Sequence, residues 1–267
     1  MAILNVTPDS FSDGGTIANP NAAAEAACAA VNAGAAILDI GGESTRPGAL
    51  RVEASEQILR VVPAIRAIRA ACGPRPFITI DTTSAEVASA ALETGADAIN
   101  DVSAGLDDPG MLALAAAKRC GIVLMHRPRP PERDSYSDRY ATAPVYANVA
   151  AEVCKHLAGR ADAALRAGVD RASIVLDPGL GFGKTVEQNL ALIGQTRALT
   201  ELGFPVLSGL SRKSFTARAG GLGAESRPVD RLPATLALSL ICARLGARIL
   251  RVHDVHLHAV LLHTAGL

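Results

Sequence analysis
The sequence predicts an α/β fold, a single closed (β/α)8 TIM barrel formed as one domain over residues 1–267. Three observations lead there: eight short apolar runs, seven glycines at the junctions before them, and Ala- and Leu-rich segments in between. Strand and helix repeated eight times at this length is the rhythm of such a barrel.

The runs are ILNV at the start, then AILDI, FITI, AIN, IVLM, SIVL, PVL and RILRV. They are rich in Ile and Val and do not alternate with polar residues, as expected of strands covered on both faces. Gly34, Gly73, Gly95, Gly121, Gly168, Gly203 and Gly246 each suit a helix C-cap, because glycine takes left-handed backbone angles at little cost. Helix starts are marked by Asn19 before Pro20, by Ser84 three residues ahead of Val87, and by Asp108 before Pro109. The rival is an open doubly wound sheet, and the first strand lacks the glycine fingerprint that often opens one.

Composition narrows the partners. Lys plus Arg and Asp plus Glu balance at 26 each, with no long run of either sign, so neither nucleic acid nor an anionic membrane is expected. A small-molecule substrate is the default. No apolar run reaches the ~18 residues of a membrane helix, and the chain opens on AILNV without a basic leader, so a cytoplasmic protein is expected. Cys28, Cys72, Cys120, Cys154 and Cys242 are isolated in the sequence and read as small packing residues.

Chemistry in such barrels collects where the strands end, and here nearly every run closes on polar groups. These are Asn5, Asp39 with Glu43, Asp81, Asn100 with Asp101, His126, Asp177, Ser208 with Ser211, and Arg251 with His253. Carboxylates and an amide can read the N–H edge of a flat heterocycle, whereas Arg46, Lys213, Arg251 and His253 suit a polyanion such as a diphosphate. One end of the site thus reads an amide and the other an anion. The loops at 7–15 (TPDSFSDGG) and 43–51 (ESTRPGALR) have the composition of rim loops that close over substrate, and Phe11 among polar neighbours supports this.

Three segments are read as bystanders. The proline-broken stretch 127–142 is expected to be a mobile ornament. PGLGFGKT at 178–185 mimics a phosphate-binding P-loop, but Pro178 occupies the first glycine position, so a nucleoside triphosphate is not expected there. In HDVHLH, His256 and His258 are expected on the surface at a helix start rather than on a metal, and His126 reads as a core histidine.

LNVTPDSFSDGG, DIGGESTRPGA, IDTT, INDVSAG, LDPGLGFGK, LSRKS and RVHDV occur in this order from the first strand to the last. In them the chain resembles the dihydropteroate synthases. After the fifth strand it reads MHRPRP where many relatives have MHM followed by Gly and Pro.

The resemblance implies a cytoplasmic homodimeric transferase of folate biosynthesis that uses Mg2+ and is a target of sulfonamides. It would condense 7,8-dihydropterin-6-ylmethyl diphosphate with 4-aminobenzoate. It further implies that Asp81, Asn100, Asp177, Phe182, Gly209 and Lys213 form the pterin pocket. Asn5 would ligate Mg2+ and, with Arg251 and His253, hold the diphosphate. Phe11, Thr45, Arg46, Pro47 and Ser214 would shape the 4-aminobenzoate end, and Asp13, Arg46, Asp81 and Lys213 would act in catalysis. Two alternatives stay open, a non-catalytic pterin-binding paralogue and a methyltransferase-like enzyme that uses methyltetrahydrofolate.

Overall fold
The computed structural model describes residues 1–6, 19–223 and 225–267. Eight parallel strands run in chain order: β1 (Ala2–Asn5), β2 (Ile37–Gly41), β3 (Phe77–Asp81), β4 (Ala98–Asp101), β5 (Gly121–Met125), β6 (Ile174–Asp177), β7 (Leu207–Ser208) and β8 (Ile249–Leu250). The helices among the described residues are α1 (Pro20–Asn32), α2 (Ala54–Cys72), α3 (Ala85–Thr94), α4 (Met111–Lys118), α5 (Val149–Arg166), α6 (Val186–Gly194), α7 (Thr196–Thr200), α8 (Ser214–Ala219), α9 (Leu232–Arg244) and α10 (Val255–Thr264).

β1 to β6 form one continuous sheet and β7 pairs with β8. Bridges between Leu176 and Val206 and between Ala2 and Val252 join the two, so the expected barrel closes. Leu38, Ile40, Ile78, Ile80 and Ile99 are fully buried and belong to the apolar core that includes Val61, Ile65 and Ile68 of α2 and Val87 of α3. Strand side chains alternate, so their neighbours Asp39, Thr79 and Asn100 face the barrel axis. The axial side of β2, β3 and β4 is therefore polar at this level, and most of the apolar core lies between strands and helices.

Local signals explain most helix ends. The Asn19 side chain accepts the Asn21 N–H ahead of Pro20, and Ser84 accepts the Val87 N–H at 3.4 Å. Six of the seven junction glycines have φ between +69° and +118°. Gly121 departs from the expectation: Arg119 supplies the left-handed cap of α4 at φ 52°, and Gly121 opens β5 instead. Its reason is space, since a Cβ there would lie 3.1 Å from that of Ala98. Asp108 also differs, because α4 begins only at Met111 and its carboxylate accepts from both Gly110 N–H and Ala85 N–H, pinning α3 to the next loop.

On α10, His256 is exposed as expected but His258 is buried. Its ring contacts the Asp254 carbonyl and the Ser239 hydroxyl of α9, a packing role that a histidine at helical spacing does not reveal in sequence. All five cysteines are free, with Cys120 and Cys242 buried.

Candidate active site
The floor of the site is an ion pair network that spans the barrel. Asp39, fully buried in the middle of β2, accepts hydrogen bonds from Thr79 Oγ1 at 2.5 Å, Asn100 Nδ2 at 3.0 Å and Arg251 Nε at 2.5 Å. Arg251, just past β8, also donates through Nη2 to Asp81 at 2.7 Å. One guanidinium thus faces two buried carboxylates. Burial, partly offset by Arg251, lifts the Asp81 pKa to about 7, and its Oδ1 is buried without a partner.

Asp177 ends β6, and its Oδ1 accepts the Gly179 N–H at 2.7 Å. Burial raises its pKa against the pull of that bond, of Lys213 and of Arg251. A Cβ added at Gly209 would stand 3.7 Å from Asp177 Oδ2 and 4.0 Å from Arg251 Cδ, so glycine keeps this junction open. Lys213 Nζ lies 4.1 Å from the Phe182 ring centroid and donates to the Leu180 carbonyl. Burial lowers the Lys213 pKa to about 7, opposed by Asp177. The preceding Arg212 sits at φ 58°, a costly angle for a non-glycine residue. It is held there by a two-pronged pair with Asp254 and by its N–H bond to Thr235, which fixes the direction in which Lys213 leaves the backbone.

Above this floor opens a cavity of about 410 Å³. Asn5, Thr45, Arg46, Pro47, Phe182, Gly209, Lys213, Ser214, Arg251 and His253 all line it, so most of the residues singled out in the sequence share one space. Asp81, Asn100 and Asp177, at 3%, 3% and 6% exposure, do not line it: Asp81 bonds Arg251 directly, Asn100 is linked to Arg251 only through Asp39, and Asp177 Oδ2 lies beside Gly209. Phe11 and Asp13 fall outside the described residues.

The remaining strand-end groups turn elsewhere. Glu43 accepts the Val52 N–H at 3.1 Å. Asp101 closes a turn by accepting from Ser103 N–H, Ser103 Oγ and Gly105 N–H. His126 packs against Lys184, as a core histidine should. Ser208 is buried with its hydroxyl unpartnered.

At the rim, the Ser211 hydroxyl accepts the His253 backbone N–H and pairs with the ring Nδ1 at 3.0 Å, which leaves Nε2 free to face the cavity. Dehydration lowers the His253 pKa to about 4, with help from the guanidinium groups of Arg212 and Arg251. The ring is therefore neutral at pH 7.

The pterin binding enzyme family matches residues 1–253. The dihydropteroate synthase of Mycobacterium leprae is 45% identical over 257 residues, covering 96% of this chain and 88% of that protein. The chain belongs to the dihydropteroate synthase family.

A solved dihydropteroate synthase of Xanthomonas albilineans, crystallised with 4-aminobenzoic acid, is 42% identical with a TM-score of 0.88 over 99% of this chain and 90% of that one. The same organism's enzyme in complex with 7,8-dihydropteroate is 38% identical with a TM-score of 0.85 over 99% and 91% of the two chains.

Two features of this dihydropteroate synthase family barrel escaped the sequence reading. Segment 127–142 is no ornament, since Tyr136, Ser137, Asp138 and Arg139 line the cavity. Asp134 holds the segment in place by accepting from Gly183 N–H at 2.8 Å and Tyr140 OH at 2.6 Å. Lys184 is fully buried, and its ammonium donates to His126 Nδ1, Gly179 O and Phe182 O, each at 3.0 Å. The lysine of the P-loop lookalike thus ties the Phe182 turn to the end of β5. Lys184→Met leaves two carbonyls and an imidazole without their donor, so about 2 kcal/mol of unfolding free energy should be lost in urea titrations.

Proposed function
We propose that this chain joins 7,8-dihydropterin-6-ylmethyl diphosphate to 4-aminobenzoate, giving 7,8-dihydropteroate and diphosphate. The observation that carries the reading is one cavity lined by Lys213, Arg46, Arg251 and His253, with the buried acids Asp81 and Asp177 directly behind Arg251 and Gly209.

In this reading Asp177 accepts the ring amide N–H and the amino group, and Lys213 faces the ring carbonyl and a neighbouring nitrogen. Phe182 and Gly209 bound the ring. The methylene C–O bond breaks with its electron pair leaving on the diphosphate, and the cation left behind is delocalised over the electron-rich ring. Asp81 stabilises that developing charge from below. The amine nitrogen then forms the new C–N bond and sheds a proton to water, so no dedicated base is needed. Thr45, Arg46, Pro47 and Ser214 shape the 4-aminobenzoate end, to which the family resemblance also assigns Phe11 and Asp13, outside the described residues.

Mg2+ fits a site of this kind as a cation held chiefly by the substrate. The cavity offers it Asn5, a hard amide oxygen, and the described residues contain no cluster of three or more His, Cys, Asp or Glu side chains able to hold an ion alone. When bound it neutralises charge on the leaving diphosphate. Arg251 and His253 supply the protein's own share.

The alternatives, a methyltransferase-like enzyme and a pterin-binding paralogue, have no use for a rim with an aminobenzoate end. Release of diphosphate that requires both organic substrates tests the reading; pterin binding without release sinks it. The same reading makes the chain a cytoplasmic homodimer working as one domain over 1–267, with sulfonamides competing for the 4-aminobenzoate end. No described helix is long and apolar enough to cross a membrane.

A pH effect follows from His253. Its pKa near 4 lies well below neutrality. An adjacent polyanion raises it, so diphosphate binding at pH 6 should be accompanied by proton uptake and should weaken as pH rises. Calorimetry in two buffers of different ionisation enthalpy reads that uptake, which His253→Gln should abolish; equal heats in both buffers for the native protein would contradict it.

A further inference from the structure
Behind the cavity wall lies a second, small space of about 20 Å³. Ser44 and Thr45 border both, so the β2–α2 loop is a partition with the site on one face and this space on the other. Its far side is lined by Thr83, Asp107 and Arg127, from the loops after β3, β4 and β5.

A compact set of polar contacts holds the partition from behind. The Arg127 side chain is 5% exposed and donates to Asp107 Oδ2 at 2.6 Å, while its Nη1 is buried without a partner. Asp107 is therefore the carboxylate on which that buried charge depends. The same oxygen accepts from Arg51 Nη2 at 3.0 Å, and Arg51 also donates to Thr83 Oγ1 at 3.1 Å. Arg51 ends the loop that carries Thr45, Arg46 and Pro47. At its middle, Gly48 N–H donates to the Pro131 carbonyl at 2.8 Å, a second tie to the β5–α5 segment. Such a network lowers the freedom that the loop must surrender when a ligand binds against it.

We propose that Asp107 and Arg127 are positioning residues for the aromatic amine, setting the β2–α2 loop from behind so that Thr45, Arg46 and Pro47 stand ready at the 4-aminobenzoate end. The inference rests on the synthase reading above. Neither residue touches substrate. Their effect is confined to the partition, because the floor under the pterin ring is held separately by Asp39, Arg251 and Asp177.

Steady-state kinetics with both substrates tests it. Arg127→Met should raise KM for 4-aminobenzoate about tenfold while kcat and KM for the pterin diphosphate stay within about twofold, and Arg127→Lys should recover most of the loss. Arg51→Ala, at a side chain 58% exposed, keeps the test open should Arg127→Met fail to fold, and a rise of about threefold confined to the same KM is expected. An unchanged KM for 4-aminobenzoate, equal rises in both KM values, or a fall in kcat alone overturns the inference. A native protein that releases no diphosphate overturns the synthase reading, and this inference with it.

Discussion

Arg251→Met should destabilise the protein by about 3–5 kcal/mol, because it strands two buried carboxylates that now share one guanidinium. Asp39 is 0% and Asp81 3% exposed, and both accept from Arg251 within 2.7 Å. For a chain of this size that loss corresponds to a fall in melting temperature of roughly 10 °C. Two controls separate the network from mere packing. Arg251→Met combined with Asp39→Asn removes one stranded charge and keeps an acceptor for Thr79, so about half of the loss should return. Diphosphate release should not return with it, because Nε and Nη2 serve Asp39 and Asp81 and leave Nη1 for the anion. A melting temperature for Arg251→Met within about 3 °C of the native value would show that the network carries little stability.

This double duty explains which parts of the site were legible in the sequence. The barrel was readable because strand and helix periods, caps and length agree; Gly121, Asp108 and His258 depart from their expected places through contacts with distant segments. Arg251 and His253 stood out at a strand end. That Arg251 would cross the barrel to Asp39 was not visible, although a carboxylate in the middle of AILDI already signals a charge facing inward among apolar neighbours.

Lys184 was hidden for a different reason. What this lysine does where no phosphate comes depends on the positions of His126 and Gly179, which only folding brings together. The segment 127–142 misled because proline and charge signal an exposed loop. Its anchors lie far off in the chain: Asp134 accepts from Gly183 N–H, 49 residues away, Ser137 Oγ from Asn189 Nδ2, and the Pro131 carbonyl from Gly48 N–H.

Asp177→Asn should have the largest effect on activity, lowering kcat/KM for the pterin diphosphate by about 10⁴-fold with the fold kept. The amide can still accept the Gly179 N–H through its carbonyl oxygen, so the local turn has no reason to open. The other oxygen becomes an NH2 group and faces the ring's own donors, replacing two charge-assisted bonds by donor against donor. A second consequence reinforces the first. Asp177 is the main group that holds the Lys213 pKa up against burial, so its neutralisation lets the ammonium lose its proton more readily and weakens the contact to the ring carbonyl. Calorimetric binding of the pterin diphosphate, with circular dichroism to confirm folding, reads both effects. Binding within tenfold of the native protein would mean that Asp177 does not face the ring, and the orientation of the substrate in the cavity would have to be reversed.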